Sequence, residues 1–236
     1  MARNLVSQSG AVPGFLPSSC AWHFPNEFSG PAVTVGIPGL GKIGLGNAAH
    51  GVCGGMVFAA RDYFEAGRAI PSDTTPPAQG TPLFGFVTAR LIDSFDIPRG
   101  VLKYLSWMAT PDHDTHTWLG VDKGVQSLTI KQEWPAIKAA LDGGHPCPLG
   151  LVTVASTRPA DLGDNHVVLA YAYDLTDGGG LTVHVYDPNT PGGDAVAMTL
   201  DIENPAQPTP IAHNINISRP VRGFFALRYA KHDPPA

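Results

Sequence analysis

Two apolar runs rich in β-formers, HVVLAYAY at 166–173 and LTVHVY at 181–186, flank a short polar stretch containing Asp177-Gly178. Asp-Gly between such runs signals a hairpin, because both residues tolerate the positive φ of a tight turn. Nothing else in the chain limits its fold as much as this antiparallel pair. Segments 148–155 (PLGLVTVA), 196–201 and 223–229 also have strand character. Ahead of them, 53–68, 83–96, 99–108 and 131–142 read as helices, the last ending at the Gly143-Gly144 cap signal. Helices first and antiparallel strands afterwards predict an α+β fold rather than a βαβ alternation. One domain is expected over 1–236, helical over about 53–145, with its sheet in 146–236 joined by a strand at 31–37 (PAVTVGI).

Hydrophobic residues make up 43% of the chain and charged residues 15%, enough apolar surface to close a core. Lys and Arg are scattered and the net charge is −5, so a nucleic-acid partner has no electrostatic footprint. No run approaches the roughly 18 apolar residues of a membrane helix, so no membrane partner is expected. The N-terminal MARNLVSQSG lacks a basic stretch followed by an apolar core, which reads as cytoplasmic by default or as a chain whose signal has been removed. Three cysteines without a C-x-x-C pair fit neither a disulfide framework nor a structural zinc site.

Of these cysteines, Cys53 stands apart. It follows the Gly-rich PGLGKIGLGNAAHG at 38–51 and opens the most apolar helix. A helix N-terminus presents unpaired N–H groups and partial positive charge, which favour a thiolate. Gly51, Gly54 and Gly55 are expected to leave room for a substrate backbone. His166 opens a strand after the polar DLGDN and can face a cleft while VVLAYAY anchors it. With a two-residue turn at Asp177-Gly178, paired residue numbers add to 355, which sets His166 opposite Asn189 and makes Asp187 its diagonal neighbour on the same face. Either can orient the imidazole. A thiol, a base and a group orienting the base form an activated nucleophile.

The run Asn47-Ala-Ala-His-Gly-Val-Cys53-Gly-Gly resembles the active-site segment of papain-like cysteine peptidases, and Asn165-His166-Val-Val-Leu with Val-Tyr-Asp187-Pro is similar to the His and Asp-Pro motifs of the C39-like branch of that clan. The resemblance implies a papain-like fold, a helical lobe followed by an antiparallel sheet lobe with the active-site cleft between them. It implies a Cys53–His166–Asp187 triad without cofactor, acting on a peptide or amide substrate. Asn47, six positions before Cys53, takes the place of the family's oxyanion-hole carboxamide, and Asn189 remains the alternative third member. An acyl transferase of transglutaminase type would use the same residues, and a binding module without catalysis could share the fold.

Three other signals rank lower. Gly39-x-Gly41-x-x-Gly44 matches a dinucleotide fingerprint but does not open a helix at its third glycine. Asp112, His113, Asp114 and His116 are zinc-type ligands on a loop with no element to fix their spacing, so no metal is assigned. Trp22, Trp107, Trp118 and Trp134 are assigned to packing.

Overall fold

Every strand pairing in the described part of the chain is antiparallel. The computed structural model describes residues 6–28, 33–37, 41–45, 52–118, 120–205 and 207–235. The chain enters through β1 (Val6–Ala11), the short helix α1 (Pro17–Cys20) and strands β2 (Val33–Ile37) and β3 (Gly41–Leu45). Next come helices α2 (Cys53–Glu65), α3 (Pro82–Ser94) and α4 (Arg99–Ala109). A small hairpin of β4 (Thr115–Thr117) and β5 (Gly120–Asp122) leads into α5 (Val125–Leu128), a π-turn at Thr129–Glu133 and α6 (Trp134–Asp142). The remainder is β6 (Cys147–Val152), a 3-10 turn at Pro159–Asp164, β7 (His166–Thr176), β8 (Gly180–Tyr186), β9 (Ala197–Asp201), β10 (Ala212–His213) and β11 (Gly223–Ala226). The protein is thus mixed α+β.

The large sheet has the order β10-β9-β8-β7-β6-β11. β7 is its spine. β8 takes one edge of β7; β6 pairs with its first half and β1 with its second half, end to end along the other edge. β6 and the first half of β7 are buried throughout, as expected of strands covered on both faces. β8 and β9 alternate between buried and more exposed positions, the period of a half-covered strand. The buried apolar side chains form one continuous cluster.

α2 is apolar most of the way round, and Cys53 through Ala60 are all buried. α3 starts on a cap, with the Thr81 hydroxyl accepting from the Phe84 N–H at 3.2 Å and Pro82 in the first turn. It packs against α2 through two glycines. A Cβ on Gly54 would lie 2.3 Å from Ser94 Oγ, and one on Gly55 would lie 2.2 Å from the Val87 carbonyl oxygen. The missing side chains of Gly54 and Gly55 thus make room for α3, and Gly51 lies outside the described residues. The π-turn is pinned by the Thr129 hydroxyl, which accepts from Phe224 N–H at 3.0 Å and donates to Phe224 O at 3.1 Å. The C-terminal residues strap α2 to α3. Asp62, fully buried, meets Arg90 Nε at 2.7 Å, and accepts from Tyr229 Oη at 2.6 Å and His232 N–H at 2.9 Å.

Several expectations are corrected. The strand at 33–37 does not join the large sheet; it pairs with β3, within the Gly-rich stretch that precedes Cys53. The strand that does join from the N-terminal part of the chain is β1, whose residues VSQSGA carry no apolar alternation. The turn after β7 has three residues, Asp177 to Gly179, with Gly179 at φ +78° and Gly180 N–H closing onto the Thr176 hydroxyl at 2.9 Å. Pairs near the turn are therefore shifted by one, as in Asp174↔Thr182, until an extra residue at Tyr171 restores Ala170↔Val185 and Leu169↔Tyr186. Trp118, assigned to packing, stands at the β4–β5 tip with 92% of its surface exposed; Trp22, Trp107 and Trp134 are buried. Among the described residues no helix is long and apolar enough to cross a membrane.

Candidate active site

Cys53 is the first residue of α2 and is 8% exposed. The turn that delivers it is held from outside the helix, because the N–H of Val52 donates to Asn26 Oδ1 at 2.7 Å. Val52 O accepts from Met56 N–H and begins the helical ladder. The N–H groups of the first turn have no carbonyl one turn earlier to bond, so partial positive charge gathers around the thiol.

His166 is the first residue of β7, paired with Leu151 of β6 and 6% exposed. The residue before it sets its direction. Asn165 Oδ1 accepts from Thr153 N–H at 3.1 Å, and Asn165 Nδ2 donates to Leu162 O at 3.1 Å. The 3-10 turn and the strand entry thus form one unit.

Asp187 comes directly after β8 and is fully buried. Its Oδ1 accepts from His166 Nε2 at 2.8 Å and from Asn189 N–H at 3.0 Å. Its Oδ2 accepts from the Thr190 hydroxyl at 3.0 Å and from Asn216 N–H at 2.9 Å. Burial disfavours the carboxylate, but the hydrogen bond and charge of His166, with the amides of Asn189 and Asn216, hold the group below its ordinary range. Burial likewise works against an imidazolium at His166. The charge of Cys53, the bond to Asp187, a hydrogen bond with Cys53 and the charge of Asp187 outweigh it, pushing His166 up to about 10. The carboxylate on Nε2 keeps a proton on that nitrogen, and Nδ1 is the ring nitrogen outside that bond.

The structure thus bonds His166 to Asp187, and the charge of Cys53 acts on the same ring. Asn189 does not reach the imidazole. Its Nδ2 donates to Asn216 O at 3.0 Å and its Oδ1 accepts from Asn26 Nδ2 at 3.3 Å. Asn47 lies outside the described residues. The other cysteines have no such setting. Cys147 is buried, and desolvation pushes its thiol up to about 12. Cys20 is partly buried, with its sulfur 3.3 Å from Gly14 O.

The acidic loop after α4 is spent on structure. Asp112 pairs with Arg222 Nε at 2.6 Å, Asp114 with Lys123 at 2.9 Å, and His113 Nδ1 lies 3.0 Å from Gln126 Oε1. Among the described residues no group of three or more His, Cys, Asp or Glu is arranged to hold a metal ion. The sheet is antiparallel and Gly41 and Gly44 sit within the β2–β3 pair, so the parallel-sheet setting of a dinucleotide fingerprint does not arise among the described residues.

Sequence reasoning missed Thr190 and Asn216, which complete the shell of Asp187, and Asn26, which bonds both to the entry of α2 and to the turn after Asp187. No local pattern marks them, since Asn and Thr in turns are ordinary. Comparison with known protein families, curated proteins and solved structures finds no match to this chain.

Proposed function

We propose that this protein is a cysteine-dependent hydrolase of papain-like architecture, related to the C39-like branch, that cleaves an amide bond in a peptide or peptide-like substrate. The observation that carries this reading is His166 clamped through Nε2 by Asp187 at 2.8 Å, with Cys53 at a helix start acting on the same ring. In this reading α2 and its partner helices form one wall of the cleft and the sheet edge around His166 forms the other.

The Cys53 thiolate adds to the substrate carbonyl, and the tetrahedral oxyanion is met by the Cys53 N–H and by Asn47. One well-placed donor of this kind contributes roughly 3 kcal/mol in studied hydrolases. As the C–N bond breaks, the imidazolium gives its Nδ1 proton to the leaving amine. His166 then takes a proton from water as the water attacks the thioester, returning the acid and the thiolate. Asp187 keeps its charge throughout and holds the ring.

A peptide bearing an electrophile tests the reading. It should label Cys53 and neither Cys20 nor Cys147, with labelling abolished by Cys53→Ala and slowed by His166→Ala. Folded protein that resists every such probe would be a binding module instead. Amine and water competing for the acyl group then separate acyl transfer from hydrolysis.

A further inference from the structure

Asn26 lies in an irregular segment, yet it touches both halves of the candidate site one residue away from the chemistry. Its Oδ1 accepts the N–H of Val52, the residue before Cys53, at 2.7 Å. Its own N–H donates to the carbonyl of Pro188, the residue after Asp187, at 3.0 Å. Its Nδ2 reaches Asn189 Oδ1 at 3.3 Å. Val52 is buried, so its N–H needs a protein acceptor, and no residue before it in the helix can supply one. The segment carrying Asn26 is tied to both sides as well. Trp22 Nε1 donates to Met56 O of α2 at 2.9 Å, and Ser18 donates through N–H and hydroxyl to Asp194 at 2.8 and 2.7 Å.

We infer that Asn26 is a positioning residue that sets the register between the Cys53 helix and the Asp187 turn, and thereby the separation of the thiol from the imidazole. This rests on the cysteine-hydrolase reading above. Asn26 touches no reacting atom in that scheme. Its effect is geometric: the turn that holds Asp187, and through it His166, is fastened by one residue to the turn that presents Cys53. Releasing that fastening lets α2 settle away from His166, which weakens the pairing of thiolate with imidazolium and leaves each group otherwise intact.

The test is the pH profile of Cys53 alkylation by iodoacetamide on the whole protein, read by peptide mapping. In wild type Cys53 should be alkylated at pH 6 faster than Cys20 or Cys147. In Asn26→Ala the acid limb of the rate profile should change so that alkylation at pH 6 falls about tenfold. Far above both limbs, where the thiolate needs no partner, the two rates should agree. If Asn26→Ala does not fold, Asn26→Ser, too short to reach Val52, replaces it in the comparison. A wild-type limb retained in Asn26→Ala, or a rate lowered equally at every pH, overturns the positioning role alone. Alkylation of wild-type Cys53 at pH 6 no faster than that of Cys20 overturns the hydrolase reading, and the inference falls with it.

Discussion

Asp187 and His166 meet through a single 2.8 Å contact, Oδ1 to Nε2, and every other lone-pair direction of that buried carboxylate is occupied by a backbone N–H or a hydroxyl. The carboxylate is therefore fixed before the imidazole is, and it fixes the imidazole in turn. The same shell makes Asp187→Ala a poor probe, because it would strand several donors at about 1–3 kcal/mol each. Asp187→Asn keeps the shape and removes the charge that favours an imidazolium.

For Asp187→Asn we expect Cys53 alkylation near the acid limb to slow at least about tenfold, in line with the loss of an orienting carboxylate elsewhere. Asn189→Ala removes two side-chain contacts without reaching the ring, and should change the rate by less than about threefold on the same scale. The measurement is the rate ratio of the two variants in folded protein. A larger loss in Asn189→Ala would transfer the orienting role to Asn189.

The raised His166 has a consequence for stability. Its ordinary value is 6.5 and the folded protein holds it near 10, so across that window the native state keeps a proton that the unfolded chain has released. The stabilisation is complete below 6.5 and is lost as pH climbs to about 10. Asp187 acts at the other end: held below 3.8, it contributes above that pH and its contribution disappears as pH falls through its lowered value. Thermal unfolding of wild type should weaken from pH 6.5 to 10 more steeply than that of His166→Gln, which has no such proton to lose. Parallel Tm curves would mean that His166 does not carry the extra charge.

The strands around His166 are legible in the sequence because burial writes itself into composition: β6 and the first half of β7 are covered on both faces and read as unbroken apolar runs. β1 is not legible, because VSQSGA is held by backbone pairing to the second half of β7 and its side chains are mostly exposed. The third turn residue and the bulge at Tyr171 are separate departures of one residue each, and they cancel at Leu169↔Tyr186. Residue numbers adding to 355 thus hold next to the site and fail next to the turn. Beyond that pair the ladder ends at Tyr186, and the swing of Asp187 beneath His166 depends on donors from Thr190 and Asn216 that no pattern in β8 encodes. Asn26 is illegible for a related reason, since its partners lie in turns 26 and 163 positions away.

The C-terminal strap hangs on one buried pair. Arg90 and Asp62 are 1% and 0% exposed, and Arg90 Nη2 also donates to Ala230 O at 2.8 Å. Arg90→Leu leaves the Asp62 carboxylate buried without its cation, which should cost about 3–5 kcal/mol in denaturant unfolding. It should also expose residues 229–235 to proteolysis before the rest of the chain unfolds. A loss below about 1 kcal/mol, the range of an exposed pair, would show that the tail holds without the ion pair.

The two glycines after Cys53 separate packing from chemistry. A methyl at Gly55 would lie 2.2 Å from the Val87 carbonyl oxygen and 3.1 Å from the Leu91 backbone nitrogen, both main-chain atoms inside α3 that no rotamer change can move. The helices must separate to admit it, at about 1–3 kcal/mol for overpacking, against which the better helix propensity of Ala returns at most about 1 kcal/mol. At Gly54 the obstacle is the Ser94 hydroxyl, at 2.3 Å, which donates to Leu91 O at 2.7 Å and can rotate only by giving up that bond. Gly55→Ala should therefore lower Tm, while the alkylation limb of Cys53 stays in place wherever the variant is folded, because α2 is registered to the Asp187 turn at its N-terminal end. Double substitution with Ser94→Ala should recover part of the loss for Gly54→Ala and none for Gly55→Ala. If Gly55→Ala leaves stability unchanged and instead slows a peptide probe, the glycine faces substrate and its role is access rather than packing.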